Sequence, residues 1–94
     1  MSGSIRVDKW LWFARFCRSR SIAQKLIEDG LVTVNGRLVE KASEVAPGDE
    51  VVLAFGRAAD TGGARGVRRL RVVALGERRG SAAIARNLYV EIGP

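Results

Sequence analysis

The chain has 94 residues, 47% of them hydrophobic, enough for one domain with a modest core and too few for two. Sixteen Lys and Arg stand against ten Asp and Glu, a formal charge of +6 with a pI near 10.7, which suits a polyanionic partner. There is no histidine and Cys17 is the only cysteine, which excludes the usual zinc sets, a Cys–His pair, a Ser–His–Asp triad and an internal disulfide. Neither a metal nor a cofactor is expected.

Charge is unevenly placed along the chain. Residues 1–30 hold six bases and three acids, 31–60 three and five, and 61–94 seven and two, so two basic ends flank an acidic middle. Residues 1–4 read as a flexible terminus. Residues 8–17 read as a first helix with Asp8 as its N-cap. Val7, Trp10, Leu11 and Ala14 form one apolar stripe and Trp12, Phe13 and Phe16 project away from it, so this helix needs a second packing partner, for which the segment around Leu88 and Tyr89 is the candidate. Cys17 reads as a small buried hydrophobe.

A second helix is predicted over 20–29, with Ser19 as N-cap, Gly30 just past the end, and Ile22, Ala23, Leu26 and Ile27 on one arc. Its charges run against the helix dipole, since Arg18 and Arg20 flank the start while Glu28 and Asp29 sit at the end. Each reversal costs only about 0.3–1 kcal/mol at an exposed site, and an uncompensated arrangement of this kind is where a functional site is expected. Arginines beside the unpaired N–H groups of a helix start attract phosphate, because dipole, donors and guanidinium charge act together. A solvated basic face is the competing reading. Because acids suit a helix start, replacing Arg18 and Arg20 by glutamate is expected to spare the fold.

Residues 31–34 and 37–39 are β-prone runs joined by Asn35-Gly36, the pair that a type I′ hairpin favours, so Val34 should face Arg37. Pro47-Gly48-Asp49 marks a turn before a strand over 50–55. A glycine-rich loop over 56–66 lacks the Lys-Ser/Thr ending of a phosphate-binding P-loop. It leads to a strand over 67–75 with Arg69 and Arg71 on one face and Leu70 and Val72 on the other. Ser81 caps a short helix through Arg86, and 88–92 is apolar and rich in β-branched residues. No stretch resembles a signal peptide or a membrane span, which makes the cytoplasm the default location and a membrane partner unexpected.

The segment RVDKWLWFARFCRSRSIAQKLIEDGLVTVNGRLVEKASEVAPGDEV resembles the ribosomal-protein-S4-like RNA-binding domain. The residues that carry the likeness are Arg6, Asp8 and Leu11; Ser19, Arg20 and Ala23; Gly30, Val32, Val34, Asn35 and Gly36; and Gly48 with Asp49. Within that superfamily the Asp-Lys-Trp-Leu-Trp-x-Ala-Arg-Phe opening and the late Arg-Gly, Ala and Leu-Tyr segment are similar to the bacterial heat-shock protein 15 family. Members of that family run on into a long basic C-terminal extension where this chain has Pro94, so it is either a short relative or a trimmed chain. The loop over 57–66 is also longer and richer in glycine than the family pattern.

The resemblance implies an α+β fold, with two N-terminal helices packed on a small, mostly antiparallel sheet over 5–56 and a basic β extension with a short C-terminal helix over 57–94 in the same domain. It implies an RNA-facing surface of Arg6, Lys9, Arg15, Arg18, Arg20, Gln24 and Lys25 on the helices, with Asn35, Arg37 and Lys41 at the hairpin. Asn35 is the weakest member, since the turn alone explains it. Arg68, Arg69, Arg71, Arg78 and Arg79 are either a second phosphate patch or a solvated strand face.

The implied function is binding without catalysis, to structured ribosomal RNA on large subunits left carrying peptidyl-tRNA, by a monomer that single-stranded DNA could engage non-specifically. Three rivals remain: a small S4 protein of ribosome-associated quality control, an S4 appendage of an RNA-modifying enzyme, and a protein-interaction module. No stacking surface is evident, because Trp10, Trp12, Phe13, Phe16 and Phe55 all sit at plausible core positions.

Overall fold

The computed structural model describes residues 3–55 and 66–92. Strand β1 (Ile5–Arg6) leads directly into helix α1 (Val7–Phe13), and helix α2 (Arg20–Glu28) packs against it. Strands β2 (Val32–Val34), β3 (Arg37–Leu38), β5 (Glu50–Phe55), β6 (Gly66–Val72) and β7 (Tyr89–Glu91) form one antiparallel sheet in the order β3-β2-β5-β6-β7. A separate two-stranded sheet pairs β1 with β4 (Glu44–Val45), and a short helix α3 (Ala82–Ala85) continues into a 3₁₀ turn over Arg86–Leu88. This is the α+β arrangement expected from the sequence.

Alternation along the strands explains the layering. Val32, Val51, Leu53, Leu70 and Val72 are buried towards the helices, where they join Val7, Trp10, Leu11, Ala23, Leu26, Ile27 and Leu88 in one cluster. That cluster draws on both the first half of the chain and the segment after residue 66. Arg69 and Arg71 point to the opposite, helix-free face, in the phase predicted. The strand containing them ends at Val72 rather than residue 75, where the Val73 and Ala74 N–H groups turn to the Leu88 carbonyl at 2.8 and 3.2 Å.

The hairpin forms as its Asn-Gly pair dictates. Asn35 and Gly36 have φ of 53° and 83°, and Val34 pairs with Arg37. The Ser19 hydroxyl accepts the Ile22 N–H at 3.2 Å, capping α2, and the Ser81 hydroxyl accepts that of Ile84 to cap α3.

Helix α1 departs from expectation at both ends. It begins at Val7 after Arg6 with no side-chain cap, so Asp8 lies inside the first turn and is not the N-cap. It stops at Phe13, four residues before the predicted end, in a closure where the Arg15 N–H bonds the Trp12 carbonyl and the Phe16 N–H bonds the Leu11 carbonyl. Helix α2 closes with the same two bonds, from Gly30 to Ile27 and from Leu31 to Leu26. The position beyond the helix is left-handed in both, at φ 74° in Gly30 and 63° in Arg15. Glycine announces such an end in sequence and arginine does not. The strands β1 and β4 carried no sequence signal either, being two residues each, and Ser4, assigned to a loose terminus, donates its hydroxyl to Glu44.

The aromatic surplus of α1 is covered in two different ways: the expected cover by the segment around Leu88 and Tyr89 reaches Phe16, whereas Trp12 is covered by Arg79. Phe13 and Phe16 are buried, Tyr89 packs on Phe16 with ring centroids 4.6 Å apart, and the Trp10 indole donates to the Ala74 carbonyl at 3.0 Å. Trp12 is half-buried beneath the Arg79 guanidinium, 5.8 Å from its ring. The side chain of Phe55 and the glycine-rich loop lie outside the described residues.

Candidate RNA interface

Asp8 is the only acid before Glu28, and its carboxylate is fully buried. Four donors converge on it. The Arg6 guanidinium reaches Oδ1 and Oδ2 at 3.3 and 3.2 Å, the Gln24 amide donates to Oδ2 at 2.9 Å, the Lys9 N–H donates to Oδ1 at 2.8 Å, and Arg20 approaches Oδ2 at 3.4 Å. Burial pushes the Asp8 pKa up, but the Gln24 and Lys9 hydrogen bonds and the charges of Arg20 and Arg6 together outweigh it, so the carboxyl is held below its ordinary value. One acid thus organises β1, α1 and α2.

Two basic residues share a single negative charge there, so the cluster retains positive charge. The side chains of Arg6 and Arg20 remain 43% and 39% exposed. Arg20 Nε is buried without a hydrogen-bond partner among the described residues, an unsatisfied donor at the start of α2. Arg18 is exposed beside it, with no charged partner among the described residues. The reversed helix ends are therefore compensated through tertiary contacts that helix periodicity cannot reveal. Asp8 faces the basic start, and Lys41 pairs with Glu28 at 2.8 Å near the acidic end. Asp8 also corrects the expectation that Arg20 can become glutamate at no cost, because a second carboxylate would then face the first.

The other expected contact residues divide by geometry. Lys25 and Arg37 are exposed on α2 and the hairpin. Gln24 spends an amide N–H on Asp8. Asn35 is engaged at both polar atoms, donating to Asp49 at 3.1 Å and accepting the Glu50 N–H at 2.9 Å, so it ties the hairpin to the Pro47-Gly48 turn. Lys9 and Arg15 turn away from the Asp8 cluster. Lys9 Nζ sits 5.5 Å from the Phe13 ring, and Arg15 Nε donates to the Gly80 carbonyl at 2.7 Å.

The five later arginines do not form one face. Arg69 pairs with Glu50 at 3.0 Å and Arg71 donates to the Gly48 carbonyl at 2.9 Å, both on the helix-free side of the sheet. Arg68 lies on the opposite side, 5.0 Å from the Phe16 ring and paired with Glu91. Arg79 bonds the Trp12 carbonyl at 3.2 Å, and Arg78 beside it is exposed. Cys17 is buried, and burial pushes its thiol up to about 12, which leaves it inert. Among the described residues no group of three His, Cys, Asp or Glu could hold a metal, and no helix is long and apolar enough to cross a membrane.

A domain of two short helices set on an antiparallel sheet, with arginines gathered at the start of the second helix, defines a class. The S4 domain family model matches residues 5–51, and the chain belongs to that family. Over most of its length the chain is similar to heat shock protein 15. The homologue from Aeromonas salmonicida is 37% identical over 87 residues, 93% of this chain and 60% of that protein, and the homologue from Haemophilus influenzae is 34% identical over the same shares. A solved structure of Heat Shock Protein 15 from Vibrio cholerae, described as trimeric, superposes with a TM-score of 0.81 at 30% identity, covering 95% of this chain and 82% of that one. The RQC P-site tRNA stabilizing factor of Bacillus subtilis is 34% identical over 53 residues, 56% of this chain and 62% of its own. The chain spans about 60% of the length of the curated relatives it matches.

Proposed function

We propose that this protein is a non-enzymatic, cytoplasmic RNA-binding factor that docks on structured ribosomal RNA of large subunits dissociated or stalled with peptidyl-tRNA, as in rescue under heat stress. The observation that carries the reading is the group of Arg6, Arg20 and Gln24 fixed on buried Asp8, with Arg18 exposed at the same helix start. A buried acid holds the guanidiniums in place before any ligand arrives, so their outward N–H groups meet phosphate without further ordering cost. Lys25 and Arg37 extend the basic surface along α2 and the hairpin, where Lys41 also lies, its charge offset by Glu28. A rigid two-helix and hairpin unit of this kind selects folded RNA by shape.

The heat shock protein 15 reading is favoured over the quality-control factor because similarity to the former runs through 87 residues, including the segment that covers Trp12 and Phe16, whereas the latter matches 53. The protein acts as a monomer on this reading, since its own C-terminal segment covers the α1 aromatics. Sedimentation analysis against the trimeric relative measures that point directly. Single-stranded DNA competes only through non-specific phosphate contacts.

Titration of purified large subunits, with and without peptidyl-tRNA, tests the function. If about four to six phosphates are neutralised, log K should fall against log salt with a slope of about −3 to −5. A response flat in salt, or equal affinity for small subunits, sinks it.

A further inference from the structure

We propose that Arg15, Arg78 and Arg79 continue the RNA surface along α1, so that the C-terminal segment supplies its second half and takes the phosphodiester backbone adjoining the stretch docked at α2. This rests on the RNA-binding reading above. Trp12 lies one helical turn beyond Asp8 on the same side of α1, a rise of about 5.4 Å. Arg79 anchors there, its Nε bonded to the Trp12 carbonyl at 3.2 Å and its guanidinium over the indole ring. Arg15 is drawn to the same segment through the Gly80 carbonyl at 2.7 Å, and exposed Arg78 immediately precedes both anchors in the chain. Residues 78–80 therefore belong beside helix α1 and not with Arg69 and Arg71 on the far face of the sheet.

The chemistry of these side chains suits phosphate. In both Arg15 and Arg79 the inner Nε makes the protein bond, while the terminal amino groups make no hydrogen bond among the described residues. Each guanidinium is oriented through its inner nitrogen and has its outer edge free for the paired, charge-assisted bonds that phosphate accepts. Local acids are scarce: none occurs between residues 9 and 27, and Glu77 is the only one between 73 and 90. Arg15 also occupies a left-handed backbone position that α2 fills with glycine. A long cationic side chain kept where its backbone is disfavoured points to use of that side chain.

Two measurements on purified large subunits test the proposal. First, Arg78→Gln, which breaks no contact among the described residues, should lower affinity about five- to eightfold at 0.1 M salt and make the salt slope shallower by about 1, as loss of one phosphate contact requires. Unchanged affinity and slope, beside a clear loss in Arg18→Gln, overturn it. Second, a hydroxyl-radical source is tethered through Arg18→Cys, Arg78→Cys or Val90→Cys, the buried native thiol being unreactive. Position 78 should cleave ribosomal RNA near the sites cut from position 18, and position 90, on the far face of the sheet, should not. Cleavage from 18 with silence from 78 overturns the extended surface, and if Arg78→Gln still weakens binding in that case the contact is to an acidic ribosomal protein. Silence from both 18 and 78 fails the RNA reading itself.

Discussion

Arg6 and Arg20 at one end of the molecule and Arg69 and Arg71 at the other are all tethered to protein oxygens, but in opposite balance. At the helices two arginines and a glutamine converge on one buried carboxylate, so positive charge is left over and held rigidly. On the sheet Arg69 has its own acid in Glu50, and Arg68 on the reverse side has Glu91. The last third of the chain carries a formal +5 against +3 for the first, yet its sheet arginines are each matched by an oxygen of their own, in Glu50, Glu91 or the Gly48 carbonyl. Net charge by segment measures the field felt at a distance; pairing decides what can dock.

The largest expected effect is on the helix side. Arg20→Glu places a carboxylate against buried Asp8, exchanging an ion pair for a like-charge contact. Because both arginines at this site are partly exposed, the expected loss is about 2–4 kcal/mol, somewhat less than for breaking a fully buried pair. Urea melts of Arg20→Glu beside Arg18→Glu measure it. Arg18→Glu should leave the midpoint unchanged while weakening RNA binding, and equal stability of the two variants would break the account of Asp8 as organiser.

Asp8→Asn sharpens the same contrast by direction. It raises the net charge by one, so simple electrostatics favours tighter RNA binding, whereas loss of the anchor that orients Arg6 and Arg20 favours weaker binding. Weaker binding is expected, with destabilisation of about 1–3 kcal/mol at neutral pH. The pH dependence carries a fixed sign. Asp8 is held below its ordinary pKa in the folded state, so its contribution is fully present above the ordinary carboxylate range and is lost as pH falls through the lowered value. Stability of the parent should therefore fall more steeply than that of Asp8→Asn as acid is added below about pH 4. Parallel acid limbs in a thermal melt series would count against it.

Much of this was legible in the sequence because the signals were local. Ser19 and Gly30 bracket α2, Asn35-Gly36 sets the hairpin register, and alternation in β6 separates Arg69 and Arg71 from Leu70 and Val72. The basic start of α2 was visible as a conflict with the helix dipole. What resolved that conflict was not visible, since Gln24 lies 16 residues and Lys41 lies 13 residues from the acids they meet. The end of α1 was missed because Arg15 occupies the place of a glycine. The division of the later arginines was missed because Arg79 and Arg15 are placed by bonds to backbone carbonyls, which no side-chain pattern encodes. Asp8 could have been found as the sole acid in a 27-residue basic stretch.

The smallest effect is expected on the sheet face, and its smallness is informative. In Arg69→Gln with Arg71→Gln the exposed ion pair to Glu50 and the bond to the Gly48 carbonyl are lost, which should cost no more than about 1 kcal/mol in stability. If these residues contribute only to long-range attraction, RNA affinity should fall modestly at 0.05 M salt. The deficit should fade by 0.3 M, where the screening length has shrunk to about 6 Å and charges not touching phosphate no longer act. Arg18→Glu should behave differently, keeping its deficit at both concentrations because a docked contact is lost and a repulsive charge takes its place. Filter-binding titrations of the two variants at both salts, each referred to the parent protein, separate the cases. A sheet-face deficit that persists undiminished at 0.3 M would mean that Arg69 and Arg71 leave their protein oxygens and dock on RNA, and the contrast between the two ends of the molecule would be wrong.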